Sequence, residues 1–453
     1  MRKAIPRLLI AGTNSGCGKT TVVCAILQAL KDRGYDVAAF KCGPDYIDPM
    51  FHTEIIGAPS ANVDLYFAGA EMARALFARH ALSLNVIEGV MGYYDGLRMD
   101  SAEASSWDVA RALEAPAVLV VDGHDMALSA AAVVKGFQTL RVPSGIAGVI
   151  FNRVSAAVYA QLKPAVEEAC GIPVYGHLPV GDHALESRHL GLVTAQEVEG
   201  LSEKMQALAR QAEKTIDLDG LIALMRAQPE FDAPELSVPC LGKVRVAVAR
   251  DRAFCFYYRD NLELLEALGA RLVPFSPLAD AVLPACDGLY LGGGYPELYA
   301  EALSANASMR ASVRAAVQGG LPTIAECGGF MYLTEAIDGW PMAGALPTRC
   351  RRAGKSIRFG YAELTAGSDS LLFRAGDAVR GHEFHHWDAE APGDALTTQK
   401  PSGKSWRCAY TSDTLYAGYP HLYFASAPSV AERFVRKCLE RRRSHEADGD
   451  RTP

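Results

Sequence analysis

Short apolar runs alternate with helix-periodic stretches along most of the chain, and this alternation predicts its architecture. Leu8–Ala11, Val37–Phe40, Ala81–Ile87, Pro116–Val121, Ile146–Phe151 and Ile172–Pro179 read as strands. Their nearly continuous apolar character suits strands buried on both faces of a parallel sheet. After the first run, Val22, Val23, Ile26, Leu27 and Leu30 fall on one helical face. Strands alternating with helices predict a twisted, mostly parallel α/β sheet covered on both sides. Helical pattern runs from about residue 195 to 225. It lapses over 226–243, which carries Pro229, Pro234 and Pro239 and no clear period. The alternation then restarts: a strand at Val244–Ala249, a helix over Tyr258–Leu268 stopped by Gly269, and strands at Asp287–Leu291 and Leu321–Cys327. We therefore expect two α/β domains, 1–225 and 244–437, a linker over 226–243, and a polar, disordered tail over 438–453.

Composition narrows the classes. With 453 residues, 49% of them apolar, each domain can bury its own core. A net charge of −7 with no basic stripe argues against nucleic acid as a partner. No charge-free apolar run of roughly 18 residues occurs, so no membrane span is expected. Eleven cysteines, scattered without a Cys-x-x-Cys pair, read as reduced thiols of a cytoplasmic protein.

Candidate chemistry first appears where the first run ends. Gly12-Thr13-Asn14-Ser15-Gly16-Cys17-Gly18-Lys19-Thr20-Thr21 joins a strand to a helix. Glycines there turn backbone N–H groups toward phosphates, Lys19 reaches the terminal phosphates, and the Thr20 hydroxyl is placed for magnesium. The usual first glycine is replaced by Thr13, with Gly12 just before it. The second strand feeds Lys41-Cys42-Gly43-Pro44-Asp45-Tyr46-Ile47-Asp48-Pro49, on the side where open α/β sheets bind ligands. Asp45 is a magnesium candidate, while Lys41 and Asp48 are candidates for contact with an acidic substrate. Glu88 closes the third strand, where a carboxylate is costly unless it is paired or on a metal, and is the second magnesium candidate. Asp95 and Ser101–Ser106 follow as candidate ligand contacts, and Arg188 and His189 as contacts for substrate carboxylates. Asn152 ends a strand where it can read a nucleotide base.

The second domain carries different chemistry. Leu291-Gly292-Gly293-Gly294-Tyr295-Pro296-Glu297 lacks the Gly-Lys-Thr element, and its N–H groups suit an oxyanion. At Ala325-Glu326-Cys327-Gly328-Gly329 a strand turns at once into a helix, which lifts Cys327 above the sheet as a nucleophile. The helix N-terminus is expected to favour its thiolate. His421 in Gly418-Tyr419-Pro420-His421-Leu422 is assigned as its base. His382 and His385, in Gly381–His386, lack the spacing of a zinc helix. They read as structural or interfacial, with Glu383 an orienting or interfacial carboxylate.

Together Gly12–Thr21, Lys41–Pro49, Glu88–Gly96, Glu186–Leu192, Leu291–Glu297, Ala325–Gly329 and Gly381–His385 resemble the cobyrinic acid a,c-diamide synthase family. The N-terminal part is also similar to dethiobiotin synthetase, a P-loop NTPase-like fold, and the C-terminal part to class I glutamine amidotransferases. The resemblance implies ATP- and Mg²⁺-dependent amidation of two carboxylates of cobyrinic acid, with L-glutamine as nitrogen donor. Hydrogenobyrinic acid and nickel-sirohydrochlorin remain alternative acceptors, and a homodimer is left open. By position, Lys19 and Thr20 serve ATP and Mg²⁺, Asp45 and Glu88 match acidic positions near the metal, and Cys327 and His421 match nucleophile and base. Class I relatives carry Glu two residues after the His, and this chain has Tyr423. The third triad member is thus unassigned, and a Cys-His dyad stands as an alternative. A partition or regulatory ATPase would share the phosphate loop but would need neither Cys327 nor His421.

Overall fold

A computed structural model describes residues 2–181, 200–354 and 358–449. The chain folds into two compact units, Met1–Leu236 and Ser237–Pro453.

The N-terminal unit is built on seven parallel strands. They are β1 (Arg7–Gly12), β2 (Val37–Cys42), β3 (Ser60–Val63), β4 (Leu84–Glu88), β5 (Ala117–Asp122), β6 (Ile146–Asn152) and β7 (Val174–Leu178). Their spatial order is β3-β2-β4-β1-β5-β6-β7. Two apolar clusters fill the unit, one on each face of the sheet. One face holds Leu8, Ile10, Val86 and Val118 beneath helix α1 (Lys19–Asp32), and the other holds Leu9, Ala11, Ile87 and Leu119. This alternation explains the continuous apolar runs, because a strand covered on both sides needs no polar face. The edge strand β3 escaped the sequence reading. It has only four residues, two of them Ser60 and Asn62, and Asn62 is buried because its amide donates to Gly43 O and Asp45 O at 2.9 and 2.7 Å.

The C-terminal unit contains a six-stranded sheet, parallel except for one edge. Its strands are β8 (Val244–Ala249), β9 (Ala270–Phe275), β10 (Gly288–Leu291), β11 (Thr323–Glu326), β16 (Tyr410–Thr411) and β17 (Leu415–Gly418), in the order β9-β8-β10-β11-β17-β16. A five-stranded antiparallel sheet combines β12 (Arg358–Ala366), β13 (Ala378–His385), β14 (Leu396–Gln399), β15 (Ser405–Cys408) and β18 (His421–Leu422), ordered β15-β14-β12-β13-β18. Helices α2 (Arg259–Ala267) and α3 (Gly328–Leu333) border the site described below.

The tail departs from expectation. Helix α4 runs from Pro428 to Gly449, so the segment expected to be disordered from residue 438 continues as helix. Phe434, Val435 and Cys438 anchor it in the core. Beyond them Arg441 and Arg442 donate to the carbonyls of Gly319 and Lys243 at 3.2 and 2.8 Å. Arginines that read as a solvated tail in one dimension thus bind backbone in three. Among the described residues no helix is long and apolar enough to cross a membrane.

Candidate functional sites

In the N-terminal unit the loop after β1 wraps back on itself. Gly16 and Gly18 have φ of 82° and 90°, left-handed values that favour glycine. A Cβ at Gly18 would also come within 1.9 Å of the Asn152 amide nitrogen. That nitrogen donates to Cys17 O at 3.0 Å, so Asn152 supports the loop from beneath through the group expected at a nucleotide base. Lys19 is buried and donates to Asn14 O at 3.4 Å. Burial pulls its ammonium below its ordinary value, and Lys41 acts in the same direction. Thr13 Oγ1 donates to Asn14 Oδ1 at 2.8 Å on the exposed side.

Beside this loop, β2 and β4 are neighbours with Lys41 opposite Glu88. Thr20 Oγ1 donates to Glu88 Oε1 at 2.6 Å, and Lys41 Nζ approaches the same oxygen at 3.0 Å. Lys41 also bonds Asp48 and lies 3.9 Å from Asp45 Oδ2. Glu88 Oε2 faces His52 Nε2 at 3.2 Å, a close contact without aligned hydrogen-bond geometry. Burial alone would raise the Glu88 carboxyl; Lys41, His52 and Thr20 outweigh it and hold the group ionised. Burial likewise lowers Lys41, yet Asp48, Glu88 and Asp45 together carry it well above its ordinary value. Asp45 Oδ1 accepts from the N–H groups of Ile47 and Asp48 at 2.8 and 3.1 Å and shapes the turn.

These donors suit magnesium. They are hard oxygens, and an ion bound largely through substrate phosphates needs only one or two carboxylates from protein. Among the described residues there is no cluster of three or more His, Cys, Asp or Glu that forms a self-sufficient cage. Asp95 Oδ2 caps its own loop by accepting from Gly92 N at 2.7 Å. Ser106 Oγ meets Val90 N at 2.9 Å, and Ser105 accepts from Asp108 N as a helix cap, so this serine pair is partly structural. Arg188 and His189 lie outside the described residues.

In the C-terminal unit Cys327 sits at the junction of β11 and α3 with φ 48° and ψ −103°. A non-glycine residue there stores strain of roughly 1–3 kcal/mol, held by its surroundings. β11 and β17 are parallel neighbours with Glu326 opposite Gly418, and Cys327 N–H donates to Gly418 O at 2.8 Å. His421, three positions later, is opposite His382 in the pairing of β18 with β13, and their rings stack at 4.9 Å. The His421 ring also lies against Gly293, where a Cβ would come within 2.3 Å of Cε1. Strand ends and glycine loop thus bring thiol-bearing turn, imidazole and candidate oxyanion loop together.

Electrostatics here differ from expectation. α3 has only six residues, and burial pushes the Cys327 thiol well up, with Glu297 and Glu383 adding to it. Burial holds His421 well below its ordinary value, assisted by His382 and His385, and lowers His382 to about 3. Burial thus favours the neutral thiol and the neutral imidazole over the ion pair that a helix N-terminus would favour. Burial also raises Glu297 to about 7 and Glu326 to about 8.

Comparison with known proteins matches both units. Residues 8–192 match the CobQ/CobB/MinD/ParA nucleotide binding domain, and residues 245–429 the CobB/CobQ-like glutamine amidotransferase domain. A cobyrinate a,c-diamide synthase of Priestia megaterium is 41% identical over 446 residues, covering 95% of this chain and 97% of its own. One from Thermoplasma volcanium is 41% identical, covering 96% of this chain and 98% of its own, and one from Salmonella typhimurium 40%, covering 94% and 97%. The chain belongs to the cobyrinate a,c-diamide synthase family. For a member of that family, the sequence reading left several site neighbours unrecognised. His52 gave no signal beyond a histidine after Asp-Pro. Asp260 and Asn261 lay inside an ordinary amphipathic helix pattern. Tyr423, two residues after the base, donates its hydroxyl to Asp260 Oδ2 at 2.6 Å.

Proposed function

We propose that this chain catalyses ATP- and glutamine-dependent amidation of the a and c acetate carboxylates of cobyrinic acid. The observation that carries the reading is the presence on one chain of two differently equipped strand ends. One is the phosphate loop with its Thr20–Glu88 contact; the other is the strained Cys327 turn beside His421.

A carboxylate is a poor acyl donor to ammonia. In the N-terminal unit a substrate carboxylate oxygen attacks the γ-phosphorus of ATP, the bond to ADP breaks, and an acyl phosphate forms. The N–H groups of the loop from Gly12 to Thr21 hold the phosphates, and Lys19 neutralises their charge in a dry setting. Thr20, Asp45 and Glu88 are the residues assigned to hold Mg²⁺. When bound, that ion supplies further phosphate neutralisation.

In the C-terminal unit the Cys327 sulfur attacks the side-chain amide carbon of glutamine while its proton moves to His421. His421 returns the proton to the leaving nitrogen, ammonia departs, and water hydrolyses the thioester to glutamate. A neutral pair fits this coupling, because charge separates only as sulfur attacks. N–H groups of the Gly292–Gly294 loop are assigned to the oxyanion. Ammonia then attacks the acyl phosphate carbon and phosphate leaves. Joining both half-reactions in one polypeptide favours transfer over loss of ammonia to bulk water.

The acceptor is tested by mass spectrometry after separate incubation with cobyrinic acid, hydrogenobyrinic acid and nickel-sirohydrochlorin, each with glutamine and Mg-ATP. Two carboxylate-to-amide replacements on cobyrinic acid are expected. Diamidation of nickel-sirohydrochlorin with none on either corrinoid would overturn the acceptor while leaving the two half-reactions in place.

A further inference from the structure

The residue before the nucleophile is bonded to the residue after the base. Glu326 Oε1 accepts from the Leu422 N–H at 3.0 Å, within the peptide that joins His421 to Leu422. Its Oε2 accepts from the Tyr290 hydroxyl at 2.9 Å. The next carbonyl, Leu422 O, accepts from Asn261 Nδ2 at 2.7 Å, and Asn261 Oδ1 accepts from Phe424 N at 2.8 Å. Glu326, Asn261, Leu422 and Phe424 are all buried. Both backbone groups of Leu422 are therefore held by side chains from elsewhere, Glu326 at the end of β11 and Asn261 in the first turn of α2.

This grip matters because β18 has only two residues and little ladder of its own. The position where class I relatives place an orienting carboxylate is Tyr423, whose hydroxyl is directed to Asp260. Tyr258, the residue capping α2, bonds His382 Nδ1 at 2.9 Å, and His382 stacks on His421. One turn of α2 thus reaches the base segment through Tyr258, Asp260 and Asn261. A buried acid at position 326 is also an expensive way to accept one backbone hydrogen bond unless its placement serves something else.

We propose that Glu326 and Asn261 are positioning residues for the glutaminase, fixing the backbone that carries His421. Glu326 acts through its acceptor oxygens. The inference rests on the assignment of Cys327 and His421 made above.

The test compares steady-state glutamine hydrolysis with ammonia-dependent amidation in the full-length protein. The variants are Glu326→Ala, Glu326→Gln, Asn261→Ala, Asn261→Asp, Cys327→Ala and His421→Ala. Glu326→Ala and Asn261→Ala should each lower kcat for glutamine by at least about thirtyfold, the scale of a lost positioning contact. KM should stay within about threefold and ammonia-dependent amidation within about twofold, since binding and the other unit are untouched. Glu326→Gln, which keeps the acceptor oxygen, should retain at least about a third of kcat. Asn261→Asp keeps the acceptor for Phe424 N but loses the donor to Leu422 O, so it should fall with the alanine variant. If the alanine variants fail to fold, the Gln and Asp variants decide alone. Equal kcat in all four positioning variants and wild type would overturn the proposal, as would loss of ammonia-dependent activity in parallel with glutaminase. Retained hydrolysis in Cys327→Ala or His421→Ala would instead overturn the assignment on which it rests.

Discussion

Lys41 and Glu88 lie opposite one another on adjacent parallel strands, buried, with Nζ 3.0 Å from Oε1. The pair joins the phosphate loop, through Thr20, to the acidic turn at Asp45–Asp48. Removing Lys41 takes away the nearest cation from both buried Glu88 and Asp48, and leaves Glu88 with only His52 and the Thr20 hydroxyl against it. Lys41→Met should therefore destabilise the N-terminal unit by about 3–5 kcal/mol. The double variant Lys41→Met/Glu88→Gln should recover at least about 1 kcal/mol of that loss. Urea unfolding of wild type, both single variants and the double variant checks this, and strictly additive losses would show that the two do not couple.

The half-reactions separate by variant. Cys327→Ala should abolish glutamine-dependent amidation and leave amidation with free ammonia within about twofold of wild type, because only the nitrogen source is lost. Lys19→Ala should abolish both, since neither source reacts with an unactivated carboxylate. Assays with glutamine and with ammonium chloride, under folded conditions, measure the two. A Cys327→Ala protein equally dead with ammonia would give the thiol a different role.

Gly293 is the close neighbour of the base. A Cβ there would come within 2.3 Å of His421 Cε1, well inside contact distance. Gly293→Ala must displace the imidazole or the loop, and kcat for glutamine hydrolysis should fall by about a hundredfold, the scale of losing a general base. Ammonia-dependent amidation should be unchanged. An alanine variant with normal glutaminase activity would mean that the ring has room to move without consequence.

Stability should depend on pH through Glu326. Burial raises its carboxyl from 4.5 to about 8 in the folded protein. The folded state then binds more protons than the unfolded state between those values. This contribution is fully present below about pH 4.5 and is lost as pH rises through about 8. Wild type should lose on the order of 4 kcal/mol relative to Glu326→Gln across that window. Glu297, raised to about 7, is common to both proteins and cancels. Denaturant midpoints of the two proteins at pH 5 and pH 8.5 give the difference directly, and parallel curves would place Glu326 among ordinary carboxylates.

The sheet cores, and the strand ends where chemistry sits, are written locally in the chain. A strand buried on both faces must be apolar along its length, so six of the seven N-terminal strands stand out as runs. A phosphate loop must turn through left-handed glycines, so Gly16, Gly18, Lys19 and Thr20 are local in sequence. The sharp turn at Cys327 is written in the same way, as a strand ending in Cys-Gly-Gly. Partners are set by the folded arrangement alone. Glu88 is costly at its position until Lys41 and His52 arrive from the neighbouring strand and the turn beyond it. The thiol was expected to be lowered by a helix end, and burial among carboxylates raises it. Asn152 supports a loop 135 residues away in sequence, and Asn261 and Glu326 hold Leu422 from 161 and 96 residues away. Periodicity reports which side of a strand or helix is covered. It carries nothing about which distant donor meets which acceptor, because that pairing is fixed by topology and register.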